Sequence, residues 1–227
     1  MDRDTPRTEP EASLEGRAST TEGHTDTARL ETFADGVMAI AITLLVLDLK
    51  TPDVHGAKLG SALAEQWPSY AGYVVSFLTI GIIWVNHHHL FRLIERTNHA
   101  FLMMNVVFLM TIAALPWPTA LVADHLRDSG KTIAAVIYGL NMEAMAIMFN
   151  VVWRYAAQNK RLLDPRVSEQ AIDRASRNYL VGPLVYGAAT IIALVNAWAS
   201  LAIYAALAAY WLLPGTGPRA AALGPSR

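Results

Sequence analysis

Cysteine is absent from this 227-residue sequence, and charged residues are scarce, at 16%. The absence of cysteine excludes disulfide bonds and thiolate metal sites. Soluble domains usually carry about a quarter charged residues, so this chain lacks the composition of a soluble domain. The net charge is −1. Because no basic arm or nucleic-acid-binding motif accompanies it, we expect no nucleic acid partner.

The sequence also lacks the common catalytic signatures. Neither HExxH nor GxSxG occurs, and no cluster of carboxylates has the spacing of a metal centre. We therefore predict that the protein is not an enzyme and that it carries no metal and no cofactor.

Hydrophobic residues make up 53% of the chain, and they are grouped in long runs separated by short polar connectors. A helix of about 20 apolar residues matches the thickness of a bilayer's hydrocarbon core. The pattern predicts an all-α, polytopic membrane protein with six transmembrane helices per subunit. We place the helices at about 30–49, 67–91, 100–122, 132–155, 178–195 and 199–213.

Three regions follow from this pattern. Residues 1–28 are rich in polar residues and are predicted to form a disordered cytoplasmic tail. Residues 29–213 are predicted to form one six-helix transmembrane domain, whose third helix should be interrupted at Pro116 and Pro118. A polar connector with a short amphipathic helix precedes the fifth span. Residues 214–227 read as a loose C-terminal tail.

The distribution of Lys and Arg predicts the orientation. Most of them lie in the two tails and in the connectors after the second and fourth spans. Because cytoplasmic segments carry an excess of positive charge, both termini should be cytoplasmic. We expect a multi-pass protein of the cell membrane, in contact with the lipid bilayer.

A specific motif opens the first span. The run Arg29-Leu-Glu-Thr-Phe33-Ala34-Asp35 resembles the RxxxFSD signature of the transmembrane protein 175 family of potassium channels, with Ala34 in place of the usual Ser. The second span carries that family's WxxHxxxF arrangement, and the third carries two further matching positions. These residues are Trp84, His87, Phe91, Asn105 and the pair Leu115-Pro116.

The resemblance implies a homotetramer whose first helices line a central pore for potassium ions. Members of the family restrict the pore with apolar side chains, and the TVGYG loop of carbonyl-filtered channels is missing here. By position, the constriction is implied to be Ile40, Leu44 and Leu47, with Thr43 aiding selectivity. Passage of other monovalent cations or of protons stays open.

Helix geometry agrees with this arrangement. At about 100° per residue, the three constriction residues fall within about 60° of arc, and Thr43 lies about 60° from Ile40. Asp35 lies about 140° from Ile40, so it should point into its own subunit. There we expect a structural polar network, because a carboxylate in a membrane needs partners. Its predicted members are Arg29, Phe33, Asp35, Trp84, His87 and Asn105.

Other interpretations remain open. An Ile and Leu stripe also suits plain helix packing, and a membrane Thr often bonds a backbone carbonyl one turn back. The triplet at 87–89 is not read as a metal site, because neighbouring helical positions diverge by about 100°. Glu143, midway along the fourth span, is a candidate without an assigned role. The alternative function is a proton-coupled transporter using Asp35, His87 and Glu143.

Overall fold

The computed structural model describes residues 11–212, without the side chains of residues 11–26 and Ala57. Within this part the chain is helical and contains no β-strand, only an isolated bridge between Ile94 and Leu163. The helices are α1 (Glu11–Leu44), α2 (Leu59–Glu65), α3 (Trp67–Phe91), α4 (His99–Ala113), α5 (Pro116–His125), α6 (Lys131–Ala157), α7 (Glu169–Ala193) and α8 (Ala197–Leu212).

Four helical stretches are long and apolar enough to cross a membrane. They are Thr27–Asp48, Trp67–Phe91, His99–His125 and Lys131–Lys160, and they coincide with the first four predicted spans. Ala197–Leu212 is apolar but shorter. The predicted count of six spans is therefore matched for the first four only, and the fifth and sixth stay predictions.

The tail boundaries stay predictions as well. In the structure α1 begins at Glu11, which lies inside the segment predicted to be disordered. Residues 1–10 and 213–227 lie outside the described residues. The membrane-crossing part of α1 begins at Thr27, close to the predicted domain start.

Proline interrupts the third span as predicted. Helix α4 ends at Ala113 and α5 begins at Pro116. Proline lacks an amide hydrogen and clashes with the carbonyl of the preceding turn, which favours a break in the helix at this point. The Thr119 hydroxyl donates to the Leu115 carbonyl oxygen at 2.8 Å and helps to close the new helix.

The connector before the fifth span differs from the prediction. The short amphipathic helix and the fifth helix form one continuous helix, α7, which passes through Pro183. Ser168 caps its start by accepting a hydrogen bond from the Ala171 amide at 3.2 Å. The cap fixes the beginning of α7 well before the apolar run, so its first half is polar.

Helix α6 lies at the centre of the subunit and packs against α4, α5, α7 and α8. Its fully buried Trp153 donates from Nε1 to Ser176 Oγ of α7 at 2.8 Å. Helix α1 packs against α3, α4 and α5. Among the described residues, its other side leaves large apolar side chains exposed, such as Ile40 and Leu47.

Contacts between connectors fix the two ends of the bundle. At one end the Glu95 amide donates to the Leu162 carbonyl and the Asp164 amide donates to the Leu93 carbonyl, both at 2.9 Å. The connectors after the second and fourth spans therefore lie together at this end, as the predicted topology requires. At the other end Lys50 Nζ lies 3.0 Å from Asp124 Oδ1.

Candidate functional site

One face of α1 forms a buried seam against the rest of the subunit. Its members repeat every three or four residues, which is the spacing of one side of a helix. Each is less than a tenth exposed: Leu30, Ala34, Met38, Ala41 and Leu45. Ala34 is fully buried here, so its methyl group packs at the position where the signature has a serine hydroxyl.

A second face of α1 forms an exposed stripe, consisting of Phe33, Ile40, Leu44 and Leu47. Ile40 is 61% exposed and Leu47 is 72% exposed within the single subunit. The three predicted constriction residues thus share one face of α1, and that face is exposed and lies outside the core of the subunit. Large apolar side chains in this position need an apolar or closely packed partner outside the subunit.

Phe33 and Arg29 lie with this stripe, outside the predicted polar network. Phe33 precedes Ile40 by seven residues, or about two helical turns, and is 54% exposed. Arg29 lies one turn earlier and makes no side-chain hydrogen bond or ion pair with any described residue. Helical phase accounts for this, because both residues share the direction of Ile40 rather than that of Asp35.

Thr43 lies at the flank of the exposed stripe. Its Oγ1 donates to the Ile40 carbonyl oxygen at 2.8 Å. This is the bond to a backbone carbonyl one turn back that the sequence left open as an alternative. A hydroxyl has one donor and two acceptor lone pairs. The bond to Ile40 occupies the donor, so the lone pairs of an exposed oxygen remain available to a cation.

Asp35 lies further around the same side of α1, about 80° beyond Thr43, and is paired with helix α3. Its Oδ1 accepts a hydrogen bond from Trp84 Nε1 at 2.8 Å. The predicted direction, away from Ile40 and toward α3, is the one observed. Asp35 is nevertheless exposed in the single subunit.

His87 and Asn105 form a separate, buried pair between α3 and α4. His87 Nε2 lies 3.3 Å from Asn105 Oδ1, and Asn105 Nδ2 donates to the Phe101 carbonyl at 2.9 Å. The imidazole packs against Phe91 and Phe108, with ring centroids 4.4 and 5.8 Å away. The single network expected from the sequence is therefore two pairs, one at the surface and one in the core.

Glu31 and His88 join the surface pair, although neither belongs to the polar network predicted from the sequence. His88 Nδ1 lies 2.8 Å from Glu31 Oε1, and the His88 ring stacks on Trp84 at 6.2 Å. Glu31 precedes Asp35 by four residues and His88 follows Trp84 by four. This spacing places both contacts along one α1–α3 edge, and it was the available signal.

The histidine triplet diverges in the structure. His87 faces the core, whereas His88 faces Glu31. Among the residues that the structure describes, no group of three or more His, Asp or Glu side chains could hold a metal ion.

Glu143 lies apart from these pairs, on α6 where α7 crosses it. A Cβ atom at Gly187 would lie 3.5 Å from its carboxylate, so this glycine permits the close approach. Its Oε2 is buried and has no hydrogen-bond partner among the described residues. No hydrogen bond in the described part of the chain links Glu143, His87 and Asp35, the three residues of the transporter alternative.

Fold and site together define a helical, polytopic membrane protein with a free apolar face on its first helix. Residues 29–116 match the family described as the endosomal/lysosomal potassium channel TMEM175. A protein from Streptomyces collinus named a potassium channel is 45% identical over 188 residues, covering 82% of this chain and 91% of that protein.

Two further comparisons agree. A protein named a potassium channel from Chamaesiphon minutus is 40% identical over 191 residues, covering 83% of this chain and 94% of that protein. The crystal structure of a lysosomal potassium-selective channel TMEM175 homolog from Chamaesiphon minutus aligns with a TM-score of 0.74 and 38% identity. That alignment covers 82% of this chain and 96% of the other. The chain belongs to the TMEM175 family of potassium channels.

Proposed function

We propose that this protein is a potassium-permeable channel of the cell membrane, in which the α1 helices of a homotetramer line a central pore. The exposed stripe carries this proposal. It directs Ile40, Leu44 and Leu47 away from the core of the subunit, within residues 29–116, which match the family. Grouping the stripes around one axis would give each of these side chains an inter-subunit or pore-lining position.

The proposed pore has an apolar neck and no filter of backbone carbonyls. A narrow hydrophobic neck excludes water when it is tight and conducts when it widens slightly. Ile40, Leu44 and Leu47 would form this neck at successive turns. The exposed Thr43 oxygen, held by its bond to the Ile40 carbonyl, would offer ions a polar contact beside the constriction.

The surrounding pairs would hold the pore helix in place. Asp35–Trp84 and Glu31–His88 join α1 to α3, whereas His87–Asn105 joins α3 to α4. We assign these contacts an architectural role. They face away from the stripe, so an ion passing along it would not meet them.

The proposed orientation places both termini in the cytoplasm. The connectors after α3 and α6 pair with each other at one end of the bundle, and they carry much of the chain's positive charge. Positive charge is retained on the cytoplasmic side of membrane proteins.

The decisive experiment is flux through purified protein in liposomes, with potassium, sodium and proton movements measured separately. A channel should pass potassium current without a proton gradient and should show single-channel steps. Strict dependence of potassium movement on a proton gradient, with no unitary steps, would instead support the proton-coupled transporter. An empty-liposome control and a sample with heat-denatured protein define the background.

A further inference from the structure

A cavity of about 240 Å³ lies among α3, α5 and α8, near the end where α3 and α8 begin. Small residues leave this space open: Ala71 and Gly72 on α3, and Ala202 and Ala205 on α8. Apolar cavities of about 150 Å³ already bind small hydrocarbons. A larger, partly open cavity in a membrane protein is expected to hold an apolar occupant.

The hydroxyl groups on the cavity wall already have hydrogen-bond partners. The Thr119 and Tyr138 hydroxyls lie 2.8 and 3.2 Å from Ser76 Oγ. The Tyr204 hydroxyl lies 3.0 Å from Thr190 Oγ1. Because these groups have partners within the protein, the cavity offers little to a polar ligand. Its chemistry selects hydrocarbon.

The rim of the cavity has a different composition. Trp67 and Trp198 stack there with ring centroids 6.0 Å apart, and the Arg127 guanidinium lies 5.8 Å from the centroid of Trp67. Tryptophan is enriched where hydrocarbon meets the headgroup region. Arg127 makes no ion pair or side-chain hydrogen bond with any residue of the described chain, so its donors are free for an anion.

We propose that this cavity is a phospholipid site, distinct from the pore. One acyl chain occupies the space between α3 and α8, and the headgroup phosphate is bound by Arg127. Guanidinium presents donors in a planar fork that matches phosphate oxygens. The features of this region occur in the same order as the parts of a phospholipid. The apolar cavity corresponds to the acyl chain, the Trp67–Trp198 pair to the interfacial region, and Arg127 to the phosphate.

A phosphate-bearing lipid fits this rim better than a second copy of the chain. A neighbouring subunit would have to supply both an apolar side chain for the cavity and a carboxylate for Arg127. A phospholipid carries both groups in one molecule and is present throughout the membrane.

The test is native mass spectrometry of the full-length oligomer in detergent with added phosphatidylglycerol. We expect wild-type protein to retain about one lipid per subunit. Ala205→Phe, which fills the cavity, and Arg127→Gln, which removes the cation, should each weaken retention about tenfold. Arg166→Gln is the matched control, because Arg166 pairs with Asp164 in a connector and should leave retention unchanged.

Two outcomes would overturn the proposal. Retention equal to wild type in either Ala205→Phe or Arg127→Gln would remove the cavity or the cation from the lipid site. Wild-type oligomer that retains no phosphatidylglycerol would also contradict the proposal and would leave a second copy of the chain as the occupant of the cavity. Arg127→Gln changes only an exposed side chain, so its result does not depend on repacking the core.

Discussion

Two faces of α1 run along the same helix about 120° apart, and both are dominated by apolar side chains. The buried seam, from Leu30 to Leu45, packs against α3 and α4. The exposed stripe, from Phe33 to Leu47, is 42% exposed or more at each of its four residues within the described part of the chain. In a membrane helix, hydrophobicity alone therefore does not distinguish residues that stabilise the fold from residues that serve function. Substitutions on the seam side should act on folding, and those on the stripe should act on conduction.

The largest effect is expected at His87, which lies behind the seam. His87→Ala removes a ring that is packed on two phenylalanines and leaves the Asn105 amide oxygen without its donor. Loss of buried packing and of a hydrogen bond should cost roughly 3 kcal/mol of folding free energy. Thermal melting and size-exclusion chromatography should show less intact oligomer.

The neighbouring histidine is the matched control. The His88 side chain is 48% exposed and pairs with Glu31, and exposed ion pairs contribute about 0–1 kcal/mol. His88→Ala should therefore melt close to wild type. Equal destabilisation by both variants would mean that the buried His87–Asn105 pair contributes no more to stability than the exposed Glu31–His88 pair.

The next effect concerns the exposed stripe. Ile40→Asn should wet the proposed neck and raise unitary conductance severalfold while assembly stays normal. Single-channel recording gives the conductance. Met110→Asn is the control, because Met110 of α4 is 63% exposed, nearly the same as Ile40, but lies off α1. Unchanged current in Ile40→Asn, or an equal change in Met110→Asn, would place the neck elsewhere.

A smaller effect is expected at Thr43. Thr43→Val keeps the shape of the side chain and removes its oxygen, so the potassium-to-sodium permeability ratio should fall. A contribution of about 0.5–1 kcal/mol would change this ratio by about two- to fivefold. Reversal potentials under bi-ionic conditions measure the permeability ratio. Thr43→Ser, which keeps the hydroxyl, should leave this ratio close to that of the wild type.

Thr32 offers a comparison on the same helix. Its hydroxyl also donates to a backbone carbonyl one turn back, that of Ala28, at 2.9 Å. Thr32→Val should leave the permeability ratio unchanged. If both valine variants behave alike, the Thr43 hydroxyl serves the backbone and has no role in ion preference.

The smallest effect is expected at Asp35. Its hydrogen bond with Trp84 is exposed in the single subunit, so Asp35→Ala should cost about 1 kcal/mol. Asp35→Asn keeps an acceptor for the indole and should melt closer to wild type. An Asp35→Asn variant that assembles normally but conducts with altered ion preference would show that this carboxylate lies in the ion path and does not serve only to hold the helices together.

Several features were determined by the sequence alone. The long apolar runs predicted the first four spans, and Pro116 predicted the interruption between α4 and α5. Helical phase placed Ile40, Leu44 and Leu47 on one face and turned Asp35 away from it. These features are local, because they depend on residue type and on the 3.6-residue period of one helix.

Other features were decided only by tertiary structure. Trp84 and His87 are one turn apart on α3, yet one reaches Asp35 at the surface and the other enters the core beside Asn105. Which of them is buried depends on where α1 and α4 pack around α3, and periodicity does not contain that information. The same holds for α7, which packs along α6 as one continuous helix across a polar stretch that composition had assigned to a connector.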